Sequence, residues 1–233
     1  MNSIITGASK GFGRAIAEKF ASAGYDLFIC SRHEEALQHT AGELRARFPG
    51  VSVHAGAFDL SEKRGAQQFG AWVLDSGATI DVLVNNAGQF VPGNISGEPE
   101  GALEAMIGVN LYSAYHLTRV LLPEMMAQKH GHIFNICSIA SLQAYANGGS
   151  YSISKFALAG FSKNLREEMK PYGVKVTAVY PGAAFTDSWS GSGVDPLRIM
   201  EAADIAEIVY AASQLSPRAT VEDIVLRPQL GDL

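Results

Sequence analysis

Two cysteines, Cys30 and Cys137, are all that 233 residues hold, and both sit inside apolar runs, L-F-I-C and I-F-N-I-C. So few thiols, so placed, exclude a disulfide framework or a cysteine-based metal site and suit reduced, buried side chains. Runs of like charge are missing too. The formal net charge of -5 is spread along the chain, which argues against nucleic acid and against an anionic membrane surface as partners. No apolar stretch approaches the roughly 18 residues that cross a bilayer. Residues 3–6 already read as a strand entering a glycine loop, which leaves no room for a signal peptide and points to a cytoplasmic protein. Internal repeats and low-complexity tracts are also absent. What is abundant is apolar residue, 47% of the chain. That is enough for one large α/β domain over residues 1–233, since such sheets often run past about two hundred residues unsplit.

The order of patterns predicts alternating strands and helices. Ser3 to Thr6, then Gly7-Ala8-Ser9-Lys10-Gly11-Phe12-Gly13, then an amphipathic run to Gly24 reads as strand, glycine loop and helix. Glycines let a backbone approach a phosphate that a Cβ would exclude, and the helix start supplies unpaired N–H groups. The next strand, Tyr25 to Cys30, ends in Ser31-Arg32. At that distance past a dinucleotide loop an acid would bond a ribose 2′-hydroxyl, whereas Arg accommodates a 2′-phosphate; with Lys10 in the loop, this predicts NADP rather than NAD. A helix at 34–48, a strand at 51–58 followed by Asp59, a helix at 61–76 and a strand at 81–84 running into Asn85-Asn86-Ala87-Gly88 continue the alternation.

One long helix is expected over 99–129. Asn110 within it requires either a local break or a polar contact in the core. Val174 to Val179 is a further strand, which Pro181 should stop and Gly182 should turn. Residues 183–200, rich in Gly and Ser at their start and holding Phe185, Thr186 and Trp189, read as a mobile flap. A helix at 202–215 and a strand at 222–226 complete a doubly wound, Rossmann-like parallel sheet with helices on both faces.

Chemistry concentrates between Ser138 and Lys155. Tyr151 and Lys155 stand four apart on an expected helix, one turn from each other on one face. A phenol of pKa about 10 is a poor proton donor near neutrality, and an adjacent ammonium would lower that value by roughly 2 to 3 units. That would make Tyr151 a usable general acid and base. Ser138, at the end of an apolar run, would present its hydroxyl at a strand's carboxyl end. A Tyr-x-x-x-Lys pair alone recurs by chance; its company gives it weight.

Together these residues resemble the short-chain dehydrogenase/reductase family across essentially the whole chain. The matches are T-G-x3-G-x-G at Thr6 to Gly13, Asp59, N-N-A-G at Asn85 to Gly88, Asn110, Ser138, Tyr151 with Lys155, and P-G-x3-T at Pro181 to Thr186. The resemblance implies an NADPH-dependent oxidoreductase acting on a small carbonyl or alcohol. Tyr151 would be the general acid/base, Ser138 would orient the carbonyl, Lys155 would bond the nicotinamide ribose and lower the Tyr pKa, and Asn110 would support a relay water. Cofactor contacts would come from Gly7, Ser9, Lys10, Gly11, Phe12, Gly13, Ser31, Arg32, Asp59, Asn86, Ala87, Gly88, Tyr151, Lys155, Pro181, Gly182 and Thr186, with no metal. It also implies a homodimer or homotetramer formed through the long central helices. Tyr180 looks bulky for a position near the nicotinamide pocket, and only Arg227 to Leu233 follow the last strand, where the family often has a further walling segment. A non-catalytic NADP(H)-binding regulator on the same fold is the competing reading, and the intact set Asn110, Ser138, Tyr151 and Lys155 speaks against it.

Overall fold

The strands of this protein are apolar on both faces, and that dictates a sheet covered on both sides. In the computed structural model, which describes residues 1–186 and 193–232, β1 (Asn2–Thr6), β2 (Asp26–Ser31), β3 (Val53–Ala57), β4 (Val82–Asn85), β5 (His132–Ile136), β6 (Lys175–Pro181) and β9 (Asp223–Leu226) form one parallel sheet. Its order is β3-β2-β1-β4-β5-β6-β9. The pleat sorts the side chains. Ile5, Leu27 and Ile29 face α1 (Gly11–Ser22), α2 (Glu34–Arg47) and α7 (Ala202–Ser213), while Ile4, Phe28 and Cys30 face α3 (Lys63–Asp75), α5 (Ser113–Gln128) and α6 (Gly149–Met169). Both cysteines are free and buried. No helix among the described residues is long and apolar enough to cross a membrane.

Strand order reverses between β1 and β4, and the loops after these two strands therefore diverge and open a crevice at their carboxyl ends. Three expectations need correction. The single helix expected over 99–129 is α4 (Ala102–Ile107), a π turn at Gly108–Tyr112 and then α5, so the break falls on Asn110. The strand expected over 174–179 runs on through Tyr180 to Pro181, which pairs with Leu226 as the last residue of β6, and Gly182 N–H donates to the Leu226 carbonyl where the chain leaves it. Tyr180 does not crowd a pocket. It is buried, with its hydroxyl donating to Asp223 Oδ1 at 2.8 Å.

The centre of the expected flap, 187–192 with Trp189, lies outside the described residues. Its flanks are tied together: β7 (Ala184–Phe185) pairs with β8 (Met200–Glu201).

His132 shows what the sheet interior does to a titratable group. Thr177 donates its hydroxyl proton to the Val221 carbonyl at 2.5 Å, so the 2.7 Å contact between Thr177 Oγ1 and His132 Nε2 requires the proton on Nε2. Nδ1 is buried without a partner among the described residues. Burial, with the charge of Lys175, pushes the imidazole down to about 3. An unfolded chain would bind this proton near pH 6.5 and the folded chain only near 3, so acid in that window favours unfolding by up to about 1.4 kcal/mol per pH unit. Urea titrations between pH 7 and 4 should show that slope. His132→Met should flatten it whatever its effect on absolute stability, and an unchanged slope would remove His132 from the account.

Candidate active site

The crevice is held by two motifs that lock into each other. Thr6 Oγ1 accepts from the amides of Asn86 (2.9 Å) and Ala87 (2.8 Å), while the Asn86 side chain donates to the carbonyls of Thr6 (2.8 Å) and Gly7 (3.1 Å). Gly7 has φ +64°, open to glycine at little cost. Gly13 leaves no room for a side chain: a Cβ would stand 2.3 Å from the Gly7 carbonyl oxygen and 2.5 Å from Asn86 Nδ2. Below them Asn85 donates to Thr118 Oγ1 (3.0 Å) and Asn135 Oδ1 (2.8 Å), and Asn135 to Ser162 Oγ (2.9 Å), a buried brace from β4 through β5 to α5 and α6.

Asn110 serves the same end. Fully buried in its π turn, it accepts from the Gln89 amide (2.8 Å) and donates to the Gln89 carbonyl (3.0 Å) and to Ser154 Oγ (2.9 Å); Ser154 in turn donates to the Tyr151 carbonyl (2.7 Å). Both local reasons for Asn110 hold at once, a break in the helix and a polar core contact.

Sequence reasoning missed Glu98. From the segment between β4 and α4 it accepts from the Ser150 amide at 2.9 Å and from the Ser150 hydroxyl, and so caps α6, which has no side-chain cap of its own. The contact needs Gly149 at φ +32°, since a Cβ there would lie 2.1 Å from Glu98 Oε1. Gly93 N–H to the Asn147 carbonyl (3.0 Å) completes the clasp. Hydrogen bonds to a charged acceptor are worth about 1.5 to 3 kcal/mol, and here they fix the turn that carries Tyr151. No local pattern announces a cap donated from fifty residues away.

Two cavities meet at that turn. The first, about 350 Å³, runs along the crevice past Gly7, Ser9, Lys10, Gly11 and Phe12, then Ser31, Arg32 and Asp59, to Asn86, Ala87, Gly88, Tyr151, Lys155 and Thr186. The second, about 560 Å³, lies between Ser138, Tyr145 and Tyr151 on one side and Pro181, Gly182, Arg227 and Asp232 on the other. Tyr151, Phe12, Phe90, Cys137 and Thr186 line both. Of the expected cofactor residues, Gly13 lies beneath the first cavity as a packing contact, and Pro181 and Gly182 line only the second. Asn110 lines neither. Phe90, also missed from sequence, sets its ring edge-on to Tyr151 at 4.8 Å and 77°.

The electrostatics differ from expectation. Burial pushes the Tyr151 phenol up to about 12, against its hydrogen bond with Ser138, which lowers it. Lys155 is buried too; its Nζ lies 5.9 Å from the Tyr151 ring centre and donates to the Ile136 carbonyl at 2.8 Å, and burial pulls the amine down to about 8. Ser138 accepts from the Ala140 amide at 3.1 Å, which fixes its hydroxyl at the end of β5. At the other end, burial works to raise the Asp59 carboxyl, but hydrogen bonds from Ser61 and the charge of Arg32 outweigh it and hold it below the usual carboxylate value.

A long groove with a bare backbone at its middle, cations at one end and a tyrosine at the other fits an extended anionic ligand. The start of α1 reinforces this: its N-cap residue Lys10 makes no side-chain cap among the described residues, and first-turn N–H groups suit such a ligand.

The family model described as short chain dehydrogenase matches residues 2–194. A sepiapterin reductase of Chlorobaculum tepidum is 34% identical over 239 residues, covering 99% of this chain and 97% of its own. An alcohol dehydrogenase of the archaeon Thermococcus sibiricus, solved with 5-hydroxy-NADP, superposes with a TM-score of 0.89 at 29% identity, over 97% of this chain and 96% of its own. A metagenomic short-chain oxidoreductase, solved with NADP, gives 0.84 at 33% identity, over 98% and 97%. With the sheet order, the interlocked glycine and N-N-A-G loops and the family match in agreement, the chain belongs to the short-chain dehydrogenase/reductase family of oxidoreductases.

Proposed function

We propose that this protein is an NADP(H)-dependent carbonyl reductase in which Tyr151 exchanges a proton with the substrate oxygen. The observation that carries the reading is the position of Tyr151, hydrogen-bonded to Ser138 at the junction of a dinucleotide-shaped groove and a second cavity. Bound in the groove, the reduced nicotinamide supplies a hydride for a carbonyl carbon. Tyr151, kept protonated by burial, gives its proton to the oxygen; Ser138 holds that oxygen by a second hydrogen bond. Lys155, anchored by the Ile136 carbonyl, would offer its amine to the ribose of that ligand. Asn110 acts as a positioning residue through Gln89 and Ser154.

Preference for NADP is supported by Ser31, Arg32 and Lys10 at the groove's cationic end, and by related structures that hold NADP. We read residues 1–233 as one domain built on the seven-stranded sheet. Assembly into a homodimer or homotetramer is supported by exposed Tyr112 ahead of α5 and exposed Ile153 and Phe156 on α6.

Tyr151→Phe should lower kcat for ketone reduction by a factor on the order of 10³ while NADPH binding persists. Near-normal turnover would refute the proton role, and a wild-type protein that binds NADPH but reduces no carbonyl would favour a regulator. Arg32→Asp should weaken NADPH binding by roughly 10- to 100-fold, the value of one or two charge-assisted bonds, with NADH little affected. Equal losses for both cofactors, measured by fluorescence titration, would remove Arg32 from 2′-phosphate recognition.

A further inference from the structure

The far wall of the second cavity is built by Arg227 and Asp232, from the segment that follows β9. After β9 the chain turns back, and Arg198 holds it there by donating to the carbonyls of Leu230 (3.3 Å), Gly231 (3.0 Å) and Asp232 (3.2 Å). This places Asp232 beside Gly182, where a Cβ would stand 3.0 Å from Asp232 Oδ1, and lets Arg227 Nη1 pair with Asp232 Oδ2. Among the described residues these two carry the only formal charges on the cavity lining; the rest is aromatic, aliphatic, small or neutral polar. Both are exposed, at 40% and 29% of the side chain, so the pair stands at the solvent-facing rim of the cavity, where an entering substrate meets it first.

Building on the reading that Tyr151 and Ser138 take the reacting carbonyl, we propose that the Arg227–Asp232 pair is a specificity element that selects uncharged carbonyl substrates. A carboxylate or phosphate entering the cavity meets Arg227, but Asp232 stands beside it and cancels most of the attraction. An ammonium meets the converse. Either ion still loses its hydration, so the site charges a desolvation penalty that the balanced pair does not return. A neutral, flat ketone or aldehyde loses little and gains contact with Phe12, Phe90, Ile139 and Tyr145 on the walls. The pair thus works by refusing ions of both signs.

The test uses the full-length protein with NADPH and three ketones of one shape: para-acetylbenzamide, para-acetylbenzoate and para-acetylphenyl-trimethylammonium, together with the matching aryl diketones. Wild type should favour the neutral member by at least about tenfold in kcat/KM, the effect of roughly 1.4 kcal/mol. Asp232→Asn, which leaves Arg227 unopposed, should raise the benzoate relative to the amide by about tenfold or more, and Arg227→Gln should do the same for the trimethylammonium ketone. The exchanged pair, Arg227→Asp with Asp232→Arg, should restore the preference for the neutral ketone. Arg198 holds the tail through main-chain carbonyls, so these variants keep the wall in place. Turnover with a charge preference that no variant shifts, or equal losses for all three ketones, would overturn the proposal and leave the Tyr151 mechanism standing. Wild type that binds NADPH and reduces none of them would bring down the mechanism and this inference with it.

Discussion

One hydrogen bond, from Lys155 Nζ to the Ile136 carbonyl at 2.8 Å, sets the distance between the helix that carries Tyr151 and the strand end that carries Ser138. It is an expensive tether. The amine is buried, and burial pulls it from 10.5 down to about 8, so holding it charged at neutral pH costs the fold on the order of a few kcal/mol. Nothing in packing alone asks for a lysine here; an apolar side chain would fill the space without that penalty. The surrounding polar braces, Asn85 to Asn135 to Ser162 and Asn110 to Ser154, keep the cost from being relieved by movement of α6. Such tension at a cleft is what a site poised to meet an acceptor on a ligand looks like.

The phenol one turn earlier obeys the same balance. Four-residue spacing correctly puts Lys155 on the same helix face as Tyr151, and it suggests a phenol made acidic by its neighbour. Burial dominates instead and raises the phenol to about 12. The amine faces the Ile136 carbonyl, and its own proton is loosened by the same apolar surroundings. Spacing along a helix reports direction; it says nothing of depth, and depth decides the sign here. The protonated phenol suits donation to a carbonyl oxygen. The reverse oxidation would need its charge balance restored from within the cleft.

The alternation of strands and helices was legible because each strand is a short apolar run closed by a polar or glycine signal, and boundaries fell within a residue or two at β1, α2 and β9. The glycine loop and N-N-A-G could be read as separate motifs. Their mutual locking through Thr6 and Asn86 could not, because those residues are eighty positions apart. Asn110 signalled a disturbance in its helix, but apolar periodicity continues across a π turn and hides the break. Glu98 gave no signal at all: a cap is readable when it precedes its own helix, and this one comes from another segment.

Tyr180 is the residue whose misreading teaches most. Adjacent to Pro181, it looks bulky for a position near a nicotinamide pocket, yet alternation along β6 turns it away from the face where Pro181 lines the second cavity. There its hydroxyl bonds Asp223 at the start of β9, and β6 and β9 pair in register from Ala178 with Asp223 to Pro181 with Leu226. Arg227 and Asp232 can reach the cavity because this pairing delivers Arg227 directly beside Pro181 and Gly182. Absence of a Cβ at Gly182 then lets Asp232 close in, and Arg198 secures the return. The position of this wall is inherited from a sheet edge pinned by a buried tyrosine, so the shape of the second cavity is coupled to the core rather than left to a loop.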